Sequence, residues 1–153
     1  MIDDLYSAKL LALAANMPRV GRLAAPDASV EKVAKLCGSR VVVDVVVAEG
    51  RVADFAQDVR ACALGQASAA VLGAQVIGAS LGELELAREQ FRAMLKAGAP
   101  APDGRFSDLA MLAPVKDYPA RHASTLLAFE AVTEAVRTAA GQATGRTSPA
   151  GAA

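Results

Sequence analysis

The chain has two cysteines, and both stand where a thiol could do chemistry. Cys37 precedes a glycine in the segment KLCGSR, between two runs rich in β-branched residues. Cys62 lies in VRACALGQASAA, where a β-rich run gives way to a helical pattern. Because a helix N-terminus stabilises negative charge, a thiol there ionises more easily. The two thiols are therefore candidate metal ligands or nucleophiles, although two small buried core residues would give the same pattern.

The elements that must position these thiols change in type along the chain. An amphipathic pattern predicts a helix over 3–15, and three β-rich runs follow at 29–36, 40–48 and 51–59. The dipeptide Glu49-Gly50 predicts a tight hairpin between the last two runs. Both cysteines then stand at strand ends, and we expect them at one rim of the sheet.

The second half of the sequence has helical periodicity. Helices are expected over 62–79, from Ser80 to a stop at Gly98, and over 121–139. Ser80 and Glu83 have the spacing of a capping box at the start of the middle helix. The segment between the last two helices is expected to begin as a loop.

The order of the elements, strands first and helices afterwards, indicates an α+β fold with a small three-stranded antiparallel sheet covered by helices. A chain of 153 residues is long enough to bury one core, so 1–140 is expected to form a single domain. The tail 141–153 is polar and built of small residues, and it is expected to be disordered.

Composition excludes two classes of partner. The 16 acidic and 16 basic residues balance, and tryptophan is absent, so neither a basic stripe nor a stacking platform for nucleic acid is expected. Residues 61–82 carry no charge, but their glycines, glutamines and serines predict a buried core helix instead of a membrane span.

Two cysteines do not make a secreted disulfide framework, which favours a reducing, cytoplasmic compartment.

Three stretches, taken in order, carry a family resemblance. They are LYSAKLLALAANMPRVGRL at 5–23, LCGSRVVVDVVVAEGRVADFAQDVRACALGQASAAVLG at 36–73 and YPARHASTLLAFEAV at 118–132. The chain resembles the U-type iron–sulfur cluster scaffold family, whose fold is shared by IscU, SufU and the NifU amino-terminal domain. The segment at 98–118 most resembles the SufU branch.

The resemblance implies a metal site made of three cysteines and the aspartate of a Cys-Gly-Asp motif. Cys37 and Cys62 match the first and second cysteines. Ser39 stands at the aspartate position, and Ser124 stands at the position of the third cysteine. Iron–sulfur clusters and zinc are held chiefly by thiolates, and a neutral serine hydroxyl is a poor replacement. Two of the four expected ligands therefore remain.

The only histidine, His122, stands two residues before Ser124. It is a candidate replacement ligand, and a solvent-facing residue in the first turn of the last helix is the alternative. The resemblance implies an iron–sulfur cluster as cofactor, most simply [2Fe–2S], or zinc, unless the chain binds no metal. It implies cysteine desulfurase or other iron–sulfur assembly proteins as partners. A homodimer would be one way to complete the ligand shell.

Three functions follow. The leading interpretation is a non-enzymatic scaffold or carrier that binds iron, an iron–sulfur cluster or zinc through Cys37 and Cys62. A second is a degenerate member of the family that keeps the fold as a metal-free protein-interaction module. A third is a sulfur-relay or redox protein, in which a cysteine accepts persulfide sulfur or both form a reversible disulfide.

Overall fold

The first half of the chain contains a three-stranded sheet. The computed structural model describes residues 7–36 and 38–147. Its strands are β1 (Ala28–Ala34), β2 (Ser39–Ala48) and β3 (Arg51–Arg60), antiparallel in the order β1-β2-β3. The predicted α+β class and antiparallel sheet are confirmed, and the predicted strand ends differ from the observed ones by at most two residues.

The hairpin between β2 and β3 turns at Glu49 and Gly50, as predicted. Both residues have left-handed backbone conformations, with φ of 54° and 76°. Positive φ at both central residues is the requirement of a type I′ turn, whose twist matches that of the flanking strands. Glycine adopts this conformation without steric cost, which explains its place at the second position.

Helices cover the sheet. They are α1 (Ala8–Ala15), α2 (Ala63–Gln75), α3 (Leu81–Ala97) and α4 (His122–Thr147), with 3-10 segments over Gly104–Asp117 and Pro119–Arg121. Helix α4 contacts β1, β2, α2 and α3, so it forms the centre of the helical layer. Its Phe129 is fully buried and meets the rings of Phe91 and Phe106 edge-on, at centroid distances of 5.5 and 5.3 Å. Edge-to-face pairs of this kind are the favoured aromatic arrangement.

Helix α2 ends at Gln75 and is therefore shorter than the predicted 62–79. The residues that follow it form hydrogen bonds with strand β3 instead of continuing the helix. The amide of Gly78 donates to the carbonyl of Val52, at 2.8 Å, and the amide of Val52 donates to Ala79, at 2.9 Å. Midway along the same strand, Nε2 of the buried Gln57 donates to the carbonyl of Ala69, at 2.9 Å. In the part of the chain that the structure describes, no helix is both long and apolar enough to cross a membrane.

Helix α3 begins and ends as the sequence predicts. Oγ of Ser80 accepts from the amide of Glu83, and the Glu83 carboxylate accepts from the amide of Ser80, which completes the capping box. Gly98 ends the helix in a left-handed conformation, with φ of 69°. The helix buries one apolar face, which consists of Leu84, Ala87, Phe91, Met94 and Leu95.

The segment after α3 is more regular than expected. The predicted loop begins after α3, but it gives way at Gly104 to the long 3-10 segment. Its buried residues are spaced three apart, and they are Phe106, Leu109, Leu112 and Val115. A 3-10 helix has three residues per turn, so this spacing places all four on one side, against the core.

Helix α4 extends further than predicted. The apolar pattern ended at 139, but the backbone remains helical to Thr147. The helical backbone of 141–147 differs from the predicted disordered tail, and residues 148–153 lie outside the described residues. The buried apolar side chains of this helix include Leu126, Phe129, Val132, Val136 and Ala139.

Candidate functional site

Cys62 lies at the junction between β3 and α2. It is the N-cap residue of α2, with the extended backbone (φ −66°, ψ 171°) that this position requires. Its side chain is partly buried. The junction predicted from the sequence is therefore observed, and the thiol lies at the positive end of the helix dipole.

Ser124 contacts this thiol from the first turn of α4. Its Oγ lies 3.5 Å from Sγ of Cys62 and 3.3 Å from the carbonyl oxygen of Arg121. The hydroxyl is buried, with 2% of the residue exposed. Thus the residue at the family's third cysteine position lies next to the residue at the second one, as the resemblance implies.

A glycine allows the two helices to come this close. A Cβ placed on Gly65 in α2 would lie 3.0 Å from the carbonyl oxygen of Ser124 and 2.8 Å from Cβ of Ala61. Both neighbours are fixed to the backbone and have little freedom to move. Gly65 therefore sets the distance at which the first turns of α2 and α4 meet, and with it the contact between Cys62 and Ser124.

The surroundings of Cys62 favour the thiolate. Burial raises the pKa of Cys62, but the Ser124 hydroxyl, the amides of Gly65 and Leu64 and the charge of Arg121 together bring the pKa below its usual value. The thiol makes no cap hydrogen bond of standard geometry, so the two amides act on it chiefly as oriented dipoles. A thiolate is the form that binds metals and attacks electrophiles.

Ser39 begins β2 at the same rim of the sheet. In the β2–β3 register Arg40 lies opposite Arg60, so the start of β2 and the junction that holds Cys62 lie at one end of the sheet. Ser39 itself is buried. Cys37 lies outside the described residues, and its place on this rim therefore stays a prediction.

His122 does not lie in the environment expected of a surface residue. Only 5% of it is exposed, so the expectation of a solvent-facing residue was wrong. Its Nε2 lies 2.9 Å from the carbonyl oxygen of Val115, and its Nδ1 lies 3.4 Å from Nζ of Lys96. Because a carbonyl can only accept, Nε2 carries a proton and Nδ1 accepts from the lysine.

Both ring nitrogens of His122 thus have protein partners. Residues two apart on a helix point about 200° apart, so His122 and Ser124 project from nearly opposite sides of α4. The structure therefore brings Ser124 to Cys62 and directs His122 towards α3 and the 3-10 segment. His122 could serve as a metal ligand only after giving up one of these two contacts.

The donor set at the site is small. Within 7–36 and 38–147, no group of three or more histidine, cysteine, aspartate or glutamate side chains is arranged to hold a metal ion. Cys62 is the one thiol in this range, and Ser124 adds a neutral hydroxyl. The described residues alone therefore do not make a complete shell for zinc or for a cluster.

Arg121 is a residue of the site that the sequence analysis did not single out. It lies in the short 3-10 turn that leads into α4, and its charge lowers the pKa of Cys62. The signal was present, because Arg121 belongs to the Pro-Ala-Arg segment that carries part of the family resemblance.

A buried carboxylate orders the loop between α1 and β1. Asp44 lies inside the valine run of β2 and is fully buried. The Arg22 guanidinium donates hydrogen bonds to both carboxylate oxygens of Asp44, at 2.7 and 3.1 Å. The amide of Leu23 and the hydroxyl of Ser29 also donate to this carboxylate. Burial alone would raise the pKa of Asp44, but Arg22, Ser29 and Leu23 together lower it. This cluster is structural and lies away from the chemistry of Cys62.

The structure defines an α+β domain with a three-stranded antiparallel sheet, and a cysteine at one rim of that sheet contacts the start of the terminal helix. The sequence pattern of the NifU-like N terminal domain matches residues 5–125. The chain belongs to this family, and the resemblance stated from its sequence is confirmed.

Similar proteins agree with this assignment. An iron–sulfur cluster assembly scaffold protein IscU from Thermotoga maritima is 27% identical over 135 residues, which cover 87% of this chain and 93% of that protein. The crystal structure of a nitrogen-fixing NifU-like protein (N-terminal) from Brucella abortus is 50% identical, with a TM-score of 0.90, and the match covers 92% of this chain and 98% of that one.

A third relative shares the fold. FiSufU from Fervidobacterium islandicum, a protein named for iron–sulfur cluster assembly in the SUF system, is 21% identical, with a TM-score of 0.79. The match covers 88% of this chain and 98% of that one. The same arrangement of sheet and helices therefore holds across sequences that differ at most positions.

Proposed function

We propose that this protein serves iron–sulfur cluster assembly by holding iron, or a [2Fe–2S] cluster in transit, through the thiolates of Cys62 and Cys37. Membership of the NifU-like N-terminal family supports the process. The observation that carries the chemistry is the position of Cys62, a partly buried thiol at a helix N-terminus with its pKa lowered. Zinc, which also prefers thiolates, would bind the same pair.

Two thiolates leave a tetrahedral shell half filled. Ser39 and Ser124 replace the aspartate and the third cysteine of the family's ligand set, and neither ionises readily at neutral pH. The remaining positions would be filled by water, by a second copy of the chain or by a partner such as a cysteine desulfurase. A reducing compartment such as the cytoplasm would keep both thiols available for this use.

Anaerobic reconstitution with ferrous iron and sulfide tests the proposal. The wild-type protein should bind iron and acquire the visible absorption of a thiolate-bound cluster. Cys62→Ser and Cys37→Ser should each lose it, whereas Ser107→Ala, an exposed serine in the long 3-10 segment, should behave as wild type. Equal iron content in wild type and in both cysteine variants would contradict the proposal.

A second function is favoured by the environment of Cys62. A thiolate at this site is suited to accept sulfur from a persulfide on a donor enzyme. The Cys62 thiolate would attack the outer sulfur of the donor persulfide, forming a new S–S bond while the donor's S–S bond breaks. The donor leaves as a thiolate, and Cys62 becomes a persulfide, so no further oxidant is needed.

Mass spectrometry separates the two functions. Incubation with a cysteine desulfurase and free cysteine should add one sulfur atom to the peptide that contains Cys62 if the sulfur-relay function is correct. A protein that takes up iron but gains no sulfur is a metal carrier. A protein that does neither corresponds to the second interpretation, a metal-free interaction module.

A further inference from the structure

A groove of about 480 Å³ crosses α4 next to the Cys62 site. Its floor is the first half of α4, and its walls are the end of β1 and the C-terminal half of α3. Ala123, which lines one end, directly precedes Ser124, the residue that contacts Cys62. We refer to this feature as the α4 groove.

The base of the α4 groove is apolar. Ala34, Ala123, Leu126 and Leu127 line it, together with Val33. Val33 is 50% exposed although it lies in β1, which is an edge strand among the described residues. Leu36, just beyond the end of β1, is 80% exposed. Two large aliphatic side chains exposed beside an apolar groove are typical of a surface that a partner covers.

The rim of the α4 groove is basic. Lys32, Arg92 and Lys96 line it, together with a single carboxylate, that of Glu130. Carboxylates neutralise the first two, because Lys32 pairs with Glu134, at 2.6 Å, and Arg92 pairs with Glu130, at 2.8 Å.

Three cations in or next to the groove lack such a partner. Lys96 lines it and contacts Nδ1 of His122. Lys35 and Arg121 are exposed, and they stand one residue after Ala34 and two residues before Ala123, both of which line the groove. In the described part of the chain, none of the three has a carboxylate within ion-pair distance. The whole chain has equal numbers of acidic and basic residues, so three unpaired cations on and beside one groove are a local positive excess.

We propose that the α4 groove binds an acidic segment of a partner protein, with an aliphatic side chain seated between Val33 and Leu127. Its carboxylates would lie against Lys35, Lys96 and Arg121. Charge complementarity of this kind selects the partner and accelerates its approach, while the apolar base supplies the buried contact. The bound segment would then end beside Cys62. This inference does not rest on metal binding by the cysteines.

The test uses the metal-free protein and two synthetic peptides. One is Asp-Glu-Leu-Asp-Leu-Glu-Asp-Glu, and the other has asparagine and glutamine in place of its acids. Amide NMR shifts are recorded at low salt during titration to millimolar peptide. The acidic peptide should move the amides of Val33, Ala123 and Leu127, and the neutral peptide should bind roughly tenfold more weakly or not at all.

Charge variants localise the interaction. The double variant Lys35→Glu with Arg121→Glu should weaken acidic-peptide binding at least roughly tenfold, because it reverses two charges at the groove. Lys9→Glu is the matched control, since it reverses an exposed lysine in α1, and it should bind as wild type.

Several results would overturn the inference. They are equal binding of both peptides, shifts confined to another surface, no shift at all, or equal loss in the Lys9→Glu control. Sedimentation that shows a dimer dissociated by the double variant would instead assign the groove to a second copy of the chain. The peptide titration contains no metal, so a negative result there does not contradict metal binding by the cysteines. A failed reconstitution with iron and sulfide likewise does not contradict peptide binding in the α4 groove.

Discussion

At the scale of single residues, Ser124 changes the chemistry open to Cys62. A third cysteine at this place would add a thiolate ligand. The serine instead gives a hydroxyl 3.5 Å from Sγ, which can donate a hydrogen bond to the thiolate. The sulfur then gains stability as an anion without gaining a second strong ligand beside it. Under the proposed function, a serine at this place therefore predicts a reactive thiolate at Cys62 together with weak metal binding.

Ser124→Ala should raise the pKa of Cys62, because burial would then be opposed only by the two amides and by Arg121. The measurement is the alkylation rate of the Cys62 peptide as a function of pH, followed by mass spectrometry so that Cys37 is counted separately. The midpoint of the rate profile should move to higher pH. Ser107→Ala is the control, and an unchanged midpoint in Ser124→Ala would show that the hydroxyl does not act on the thiolate.

Asp44→Asn should destabilise the fold by about 2 kcal/mol at neutral pH, because an amide places its NH₂ among donors that served a carboxylate. The folded pKa of Asp44 is lowered, so its contribution is fully present above the unfolded value, about 3.9, and is lost as pH falls through the folded value. Urea unfolding should therefore show a difference from wild type that shrinks in acid.

The matched control for this variant is Asp54→Asn in β3. Asp54 also faces an arginine, Arg19, but at 3.9 Å and with both side chains well exposed. Exposed pairs contribute little, so this variant should unfold within about 0.5 kcal/mol of wild type. Equal losses in the two variants would contradict the role assigned to the buried cluster.

At the scale of secondary structure, the sequence predicted those elements whose boundaries have local chemical signals. The hairpin at Glu49-Gly50, the capping box at Ser80 and the stop at Gly98 each require particular residue types. The end of α2 was predicted less well, because Gly78 leaves the helix to bond with a distant strand. The 3-10 segment was not predicted, because its three-residue apolar spacing matches neither the 3.6-residue period of an α-helix nor the two-residue period of a strand.

In the candidate site, too, one feature was predicted from the sequence and another was not. The contact between Cys62 and Ser124 was predicted by family resemblance, since the order of motifs fixes which positions meet. The burial of His122 was not predicted, because it depends on Val115 and Lys96, two residues from other elements. The sequence pattern of the terminal helix alone does not predict contacts with those two residues.

Gly65→Ala should destabilise the protein by about 1–3 kcal/mol, although alanine is the better helix former. The added methyl would press on the backbone of Ser124 and on Ala61, so α2 and α4 must move apart. The alkylation profile of Cys62 should shift as well. Thermal and urea unfolding, read beside the thiol reactivity, measure both effects.

Gly82→Ala in α3 is the matched control. A Cβ there would meet only Oγ of Ser80, at 3.9 Å, which is an ordinary contact. The variant should be neutral or more stable by up to about 1 kcal/mol, from the better helix propensity of alanine. If both glycine variants gained stability, the close approach at Gly65 would not be limiting.

At the scale of the whole molecule, the chain has the NifU-like N-terminal fold, and Ser39 and Ser124 stand where the resemblance places an aspartate and a cysteine ligand. Restoring Ser39→Asp together with Ser124→Cys should strengthen zinc and cluster binding and make it independent of protein concentration. Wild type should bind more weakly, and more tightly as the protein concentration rises, if a second copy completes the shell. Metal titration over a range of protein concentrations is the measurement, and a double variant that binds no better would contradict the site.

The backbone hydrogen bonds between Val52 and the residues just after α2 affect how fast amide hydrogens exchange with solvent. Strand β3 and helix α2 are joined by the chain at Cys62, by Gln57 in the middle and by the amides of Val52 and Gly78 at the far end. The helix cannot unwind from its C-terminal end without releasing the strand. The amide hydrogens of Val52 and Gly78 should therefore exchange with deuterium at one common slow rate, as a single cooperative unit.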